Sequence, residues 1–365
     1  MCRRPANPGS ANRRSDRIPA NNPYLSKCVE QARFSINGTR ASAPRIGAGL
    51  LEGVFPMDSS RPVPDRSDEK PFERGVAWLD GGFVPLSEAK VSIFDHGFTR
   101  SDATYDVAHI YRRRVFQLDR HVARFMRSLE GLRFKIPFDH QGLRELLLRA
   151  ARMTALDDAW IMMICTRGRP PLGSRDIRQC RNNLIVCVMP FIWLASAEQR
   201  REGVTGTIGS TMRIPPQAVD PRIKNFHWLD FVRSIFEAQD RGADIAILCG
   251  QQGEVTEGAG FNVFMVKGGE VVTPAAGVLE GITRATILDI CEAEGIAAQT
   301  RQFDAATLRD ADEIFLTTTS AGVVPLVRLD GRAIGDGRPG PTTMRLHDLY
   351  WQRHETAPWS EPVDA

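Results

Sequence analysis

Beyond residue 75 the apolar positions recur in short periodic blocks. Residues 1–70 are rich in Pro, Ser, Asn, Gly and Arg and show no sustained period. Alternation at 76–79 and 81–85 predicts a short hairpin. Residues 105–110 and 115–118, joined by a turn at 112–114, predict a second. Val122, Phe125, Met126, Leu129 and Leu132 fall at helical spacing within 121–132, and 143–153 repeats that period. Strands are predicted at 159–166 and 183–189, and 191–203 reads as a connector. Beyond it the pattern predicts strands at 205–210, 244–248, 255–256, 261–266, 271–273 and 313–317, with helices at 231–241 and 283–294.

The organisation expected from this is a small α+β domain at 72–190, the connector at 191–203 and a larger α/β domain at 204–350. A frayed tail is expected at 355–365. The stretch 1–70 reads as disordered, or as lying upstream of a true start at Met57. Its Arg-rich, acid-poor composition also fits a transit peptide, but no clear amphipathic helix supports targeting. The glycines at 47–53 lack the spacing of a dinucleotide fingerprint. Asn37-Gly-Thr39 is a glycosylation sequon only in a secreted chain.

With 365 residues the chain can bury two modest cores. It contains no run of about 18 apolar residues, so no membrane span is expected. The net charge of +3 is misleading, because residues 1–56 alone carry nine Arg or Lys against Asp16, Glu30 and Glu52. The remainder is slightly acidic, which gives no reason to expect a nucleic-acid partner. Seven cysteines, odd in number and without a CxxC pair, read as the reduced thiols of a cytoplasmic protein.

Only six of the 47 basic residues are lysines, and Lys224 alone lies between an isoleucine and aromatic residues, in Asp220-Pro-Arg-Ile-Lys-Asn-Phe-His-Trp228. An apolar setting disfavours the ammonium form and makes the free amine available, as a Schiff-base lysine requires. A snorkelling surface lysine is the plainer alternative. Further on, Glu257 in Glu254-Val-Thr-Glu-Gly-Ala-Gly-Phe-Asn262 precedes a strand, where a semi-buried acid would keep a ring nitrogen protonated. A solvated acid in a glycine-rich loop is the other reading. Thr283 follows Gly277-Val-Leu-Glu-Gly281-Ile at a helix start, which suits a phosphate or a simple N-cap. Thr317-Thr-Thr-Ser-Ala-Gly322 offers hydroxyls and amides to an anion. Arg120 and Arg124 share a helical face, which by itself reads as a solvated basic surface.

Taken together in this order, these residues resemble the class IV aminotransferases, the fold type IV group of pyridoxal phosphate enzymes. The resemblance rests on Lys224, Glu257-Gly-Ala-Gly-Phe-Asn262, the run Thr273-Pro followed by Gly277-Val-Leu-Glu-Gly-Ile-Thr-Arg284, and Leu118-Asp-Arg-His-Val-Ala-Arg124, and it covers residues 76–351. Ser101-Asp-Ala-Thr-Tyr105-Asp-Val107, Arg213-Ile-Pro-Pro, Val219-Asp-Pro-Arg-Ile-Lys-Asn225 and Gly340-Pro341 look most like the (R)-selective amine transaminases. A branched-chain enzyme would be expected to show Tyr-Glu-Gly where this chain has Tyr-Asp-Val.

The resemblance implies a two-domain α/β (α+β) fold like that of the D-amino acid and branched-chain aminotransferases, pyridoxal 5'-phosphate as cofactor, and a homodimer. It implies transfer of an amino group between an (R)-amine and a keto acid such as pyruvate, through a Schiff base at Lys224 that also shuttles the proton. Glu257 would bind the pyridine nitrogen and Arg124 the phosphate. Ile282, Thr283 and Thr318 would complete the phosphate cup, Leu279 would pack on the ring, and Phe261 and Asn262 would flank Glu257. Tyr105, Val107, Trp160, Phe226 and Trp228 are expected in the substrate pocket. Arg175, with Arg169 second, is the candidate for the acceptor carboxylate, although the loop spacing departs from the family's. Arg100 stands where relatives carry a histidine. The rival readings are a D-amino acid or branched-chain aminotransferase, a lyase of the same fold, and a non-catalytic cofactor-binding relative.

Overall fold

The first strands among the described residues are a hairpin, β1 Val76–Leu79 and β2 Gly82–Pro85, paired from Val76↔Pro85 to Leu79↔Gly82. The computed structural model describes Phe72 and residues 74–364. The expectations placed on residues 1–70, the sequon and Met57 among them, lie outside those residues. A short helix, α1 His96–Arg100, leads into β3 Ala103–Tyr111 and β4 Arg114–Phe116. Helices α2 Leu118–Gly131 and α3 His140–Arg152 follow, the latter capped by Asp139 Oδ1 accepting from Gly142 N at 2.8 Å. Strands β5 Ala159–Thr166 and β6 Asn183–Pro190 complete this part. The helical stripe predicted around Val122 is the face that is buried: Val122, Phe125, Leu129, Leu143 and Leu147 pack against Ala108, Ile110, Ile161 and Met163.

The connector contains a helix, α4 Ala197–Glu202, with a reciprocal capping box between Ser196 and Gln199. Then come β7 Val204–Met212, α5 Leu229–Asp240, β8 Ile245–Cys249, β9 Val255–Gly258, β10 Phe261–Lys267 and β11 Glu270–Thr273. They are followed by α6 Ile282–Ala293, β12 Ala298–Thr300, α7 Ala305–Arg309, β13 Glu313–Thr318, β14 Gly322–Leu329, β15 Arg332–Ala333 and α8 Pro341–Arg353. The chain ends with β16 Ser360–Pro362.

Two sheets result, and the described residues form one compact unit. The seven-stranded sheet runs β16-β4-β3-β5-β6-β1-β2, and the nine-stranded one runs β12-β11-β10-β13-β14-β7-β8-β9, with β15 on β14. The tail expected to fray instead pairs with β4 from Ser360↔Phe116 to Pro362↔Arg114, and Val363 beyond it is fully buried. Ser360, Glu361 and Asp364 give this stretch a polar look and conceal a strand whose partner lies far upstream, which no local pattern can reveal. Strands β12 and β14 and helices α7 and α8 are likewise absent from the sequence expectations. The helix α6 starts at Ile282, one residue before the expected Thr283. Among the described residues no helix is long and apolar enough to cross a membrane.

Candidate active site

Strand β3 sits between β4 and β5, but β4 pairs only with His109–Tyr111. The first half of that edge is therefore free to bind another segment, and the stretch carrying Lys224 takes it. Thr104 forms a bridge with Asn225, Tyr105 N donates to Lys224 O at 3.1 Å, and Thr104 Oγ1 donates to the same carbonyl at 2.6 Å. Asn225 tightens the turn from within: its Nδ2 donates to Ile223 O at 2.8 Å and its Oδ1 accepts from His227 N at 2.9 Å. The Lys224 ammonium stands 4.5 Å from the centre of the Tyr105 ring, which packs on Phe226 at 4.5 Å.

Alternation along β3 separates two roles. Asp106 and Ala108 face the helices, whereas Tyr105, Val107 and His109 face the other way, paired with Ile164, Met162 and Trp160 on β5. Sequence reasoning missed Asp106, a fully buried acid in an apolar strand. Its Oδ2 accepts from Arg124 Nε at 2.7 Å, and its Oδ1 accepts from Arg124 Nη2, His121 Nδ1 and Val107 N, each at 2.8 Å. Burial pushes its proton affinity up, but Arg124 and His121 outweigh that and hold it well below the usual carboxylate range. Arg124 is thus not the solvated cation that its helical spacing suggested. It is 3% exposed, its Nη1 donates to Glu280 O at 3.1 Å, and one N–H on each terminal nitrogen is left over.

Glu280 introduces the start of α6. The N-cap is Gly281, with no side-chain cap, so the amides of the first turn have no side-chain partner. Thr283 lies inside that turn and is not the N-cap. Gly281 lets the helix start come close to Asn262, since a Cβ there would lie within 2.1 Å of Asn262 Oδ1 unless that side chain or the loop shifts.

In the second sheet Glu257 pairs with Asn262, and Asn262 with Thr317, so the three share one face. Glu257 Oε2 accepts from Leu279 N at 2.9 Å and from Asn262 Nδ2 at 3.4 Å, and Asn262 Nδ2 donates to Leu279 O at 2.9 Å. Glu257 Oε1 accepts from Arg213 Nε at 3.3 Å. Burial raises the proton affinity of Glu257, opposed by Arg213, the Leu279 amide and the Lys224 charge. Thr317 Oγ1 is buried without a partner. Thr318, the residue chosen from the sequence, is 9% exposed and accepts from Ser320 N at 3.4 Å.

The structure therefore brings Lys224 together with Tyr105 and Phe226, and Glu257 with Asn262 and Leu279. It brings Arg124 to the loop that precedes Ile282 and Thr283. Phe261 is half-buried beside Gly258 on the same turn as Glu257. Val107 lies on the Tyr105 face. Trp160 stands at the far end of that face, 6.3 Å from Phe191, its indole N–H buried without a partner. Trp228 is the N-cap of α5 and packs on Phe231 at 5.4 Å. Arg175, Arg169 and Arg100 are exposed, and of the three only Arg100 borders the cavity lined by Ile223, Asn225 and His227 around the Lys224 segment.

A buried acid beside a lysine, and an uncapped helix start beside a guanidinium, suit a ring nitrogen and a phosphate. The family Amino-transferase class IV matches residues 103–329, which hold every one of these groups. The chain is a class IV aminotransferase. A protein of Methanocaldococcus jannaschii is 33% identical over 276 residues, covering 75% of this chain and 94% of its own. The D-alanine aminotransferase of Bacillus licheniformis is 30% identical, covering 73% of this chain and 93% of its own. The branched-chain amino acid aminotransferase of Thermobaculum terrenum, solved in its pyridoxal phosphate form, superposes with a TM-score of 0.72 at 25% identity, over 80% of this chain and 99% of that one. This aminotransferase has the same mixed α/β fold and depends on pyridoxal phosphate. The orphaned Thr317 hydroxyl, the open α6 N-terminus and the spare N–H groups of Arg124 fit that cofactor.

Proposed function

We propose that this aminotransferase moves an amino group between an (R)-amine of arylalkyl type and a keto acid such as pyruvate. The observation that carries the proposal is the largely apolar strand face beside Lys224: Tyr105, Val107, Met162 and Ile164, with Trp160 and His109 at its far end and Phe226 packed on Tyr105. Such walls suit the arylalkyl group of an amine that carries no carboxylate.

When bound, the cofactor supplies a conjugated ring that delocalises the electron pair left behind when a substrate Cα–H is broken. The protein's part in the proposal is distributed as follows. Lys224 Nζ takes that proton and returns it. Glu257 holds the proton on the ring nitrogen, and Asn262 and the Leu279 amide fix the Glu257 carboxylate. Arg124, the amides of Ile282 and Thr283, and the hydroxyls of Thr283, Thr317 and Thr318 bind the phosphate. Leu279 and Phe261 border the ring. Arg175 or Arg169 receives the keto-acid carboxylate.

A homodimer belongs to the same proposal, and so does a division into domains at 72–190 and 204–350. Ile93, Phe94 and Phe98, 66–73% exposed just before Arg100, form an apolar patch that supports coverage by a second copy. The names of the relatives favour a second reading, an aminotransferase of D-amino acids or branched-chain amino acids. Mixing the cofactor-loaded enzyme with (R)-1-phenylethylamine, D-alanine or L-leucine and following its visible absorbance separates the two. The expected result is rapid change with the (R)-amine. Change with L-leucine alone would sink the amine proposal.

A further inference from the structure

Three buried charges lie in a line behind the candidate ring-nitrogen acid. Arg213 Nε donates to Glu257 Oε1 at 3.3 Å, and Arg213 Nη1 donates to Asp230 Oδ2 at 2.6 Å. Arg213, Asp230 and Glu257 are 7%, 7% and 5% exposed, so water does not screen them. The arginine is held on every side. Its amide donates to Cys249 O at 3.0 Å and its guanidinium lies 4.2 Å from the centre of the Phe231 ring. Asp230 is held too, Oδ2 accepting from Ile214 N at 3.0 Å and Oδ1 from Phe231 N at 2.8 Å. A surface salt bridge has no such scaffold. This one joins the end of β7 to the first turn of α5 and ends on Glu257.

We propose that Arg213, fixed by Asp230, is a positioning residue that keeps Glu257 ionised and aimed at the ring nitrogen of the cofactor. The inference rests on the reading of Glu257 given above. A carboxylate can hold a proton on a ring nitrogen only while it is itself deprotonated. Burial works against that state, and the charged groups facing Glu257 are Arg213, Lys224 and, more remotely, Arg284. Lys224 is committed to chemistry and so cannot be a constant source of charge. Arg284 is turned to Thr273 Oγ1 and Pro274 O. Arg213 is therefore the standing counter-charge. Asp230 restrains it so that the same guanidinium does not collapse fully onto Glu257 and occupy both of its oxygens.

The test compares R213M, R213K, D230N and E257Q as cofactor-loaded proteins. The readouts are visible absorbance against pH, cofactor affinity, and kcat and KM for whichever amine the enzyme accepts. In R213M the pH at which the absorbance changes should move upward. Its kcat should fall by about tenfold or more, the factor carried by one unit of proton affinity, with KM changing less. R213K should recover part of both effects, and D230N should show them in weaker form. A purely structural role would lower Tm and leave the absorbance profile of the folded fraction as in the wild type. If R213M does not fold, R213K and D230N carry the same comparison. Wild-type absorbance profiles and kcat in R213M, or in both R213K and D230N, would overturn the proposal, provided E257Q is impaired. An unimpaired E257Q would instead overturn the reading of Glu257 itself.

Discussion

At the scale of single residues, the decisive group is Lys224. Its side chain is half-buried against Tyr105, while its carbonyl is gripped by Thr104 and by the Tyr105 amide. Position therefore comes from the backbone and leaves the amine free to act. Replacing Lys224 with Ala should abolish turnover and remove the visible signature of cofactor bound to the lysine. It should change Tm little, because none of the backbone bonds uses the side chain. A K224A protein that retains steady turnover would contradict the assigned role. Glu257 and Lys224 could be singled out from the sequence because each is chemically out of place, a charge among aromatic residues or glycines. Asp106 and Arg213 stood in segments already noted, yet their partners Arg124 and Glu257 lie 18 and 44 residues away. Nothing local identifies such a partner.

At the scale of elements, the site depends on unfinished structure: the half of the β3 edge that β4 leaves to the Lys224 segment, and the uncapped start of α6. Gly281 makes the second possible, since it lets the helix start approach Asn262. A Gly281→Ala change places a methyl 2.1 Å from Asn262 Oδ1, whose amide is tied to Glu257 and Leu279. We expect a cost of about 1–3 kcal/mol and weaker cofactor retention, measured by denaturation and by equilibrium dialysis. Unchanged retention would show that the loop moves aside without consequence. The strong periodic elements, α2, α3, β5 and β10, match their sequence expectations to within a few residues. Strand β14 is overlooked because its sequence, Gly-Val-Val-Pro-Leu-Val-Arg-Leu, follows a Thr-rich turn, contains a proline and shows no alternation.

At the scale of the whole molecule, the end of the chain is tied back to the strand that carries the site. His354, just past α8, meets His109 of β3 with Nε2 atoms 2.7 Å apart, and it stacks on Phe116 at 3.8 Å. Burial pushes the His354 imidazole down to about 4, and burial with His354 beside it lowers His109 as well. Between the ordinary value near 6.5 and about 4, the unfolded chain takes up a proton that the folded one refuses. Stability is thus fully present above pH 6.5 and lost as pH falls through this window, on the order of 3 kcal/mol for His354 alone. Denaturant titrations at about pH 7.5 and about pH 4.5 should show that loss in the wild type and a smaller one in H354Q. Equal losses in both proteins would exclude the histidine pair as the source.

The sequence by itself determined the family, the chemistry and most of the regular elements. Candidate site residues stand out by type, and helices and strands declare themselves through local periods. Only the tertiary structure decided how the charges are distributed: Arg124 buried on Asp106, Arg213 set between Glu257 and Asp230, and the last strand closed onto β4. The physical reason is range. A period is a property of neighbours along the chain, whereas a buried charge is defined by whatever folding brings within a few ångströms of it.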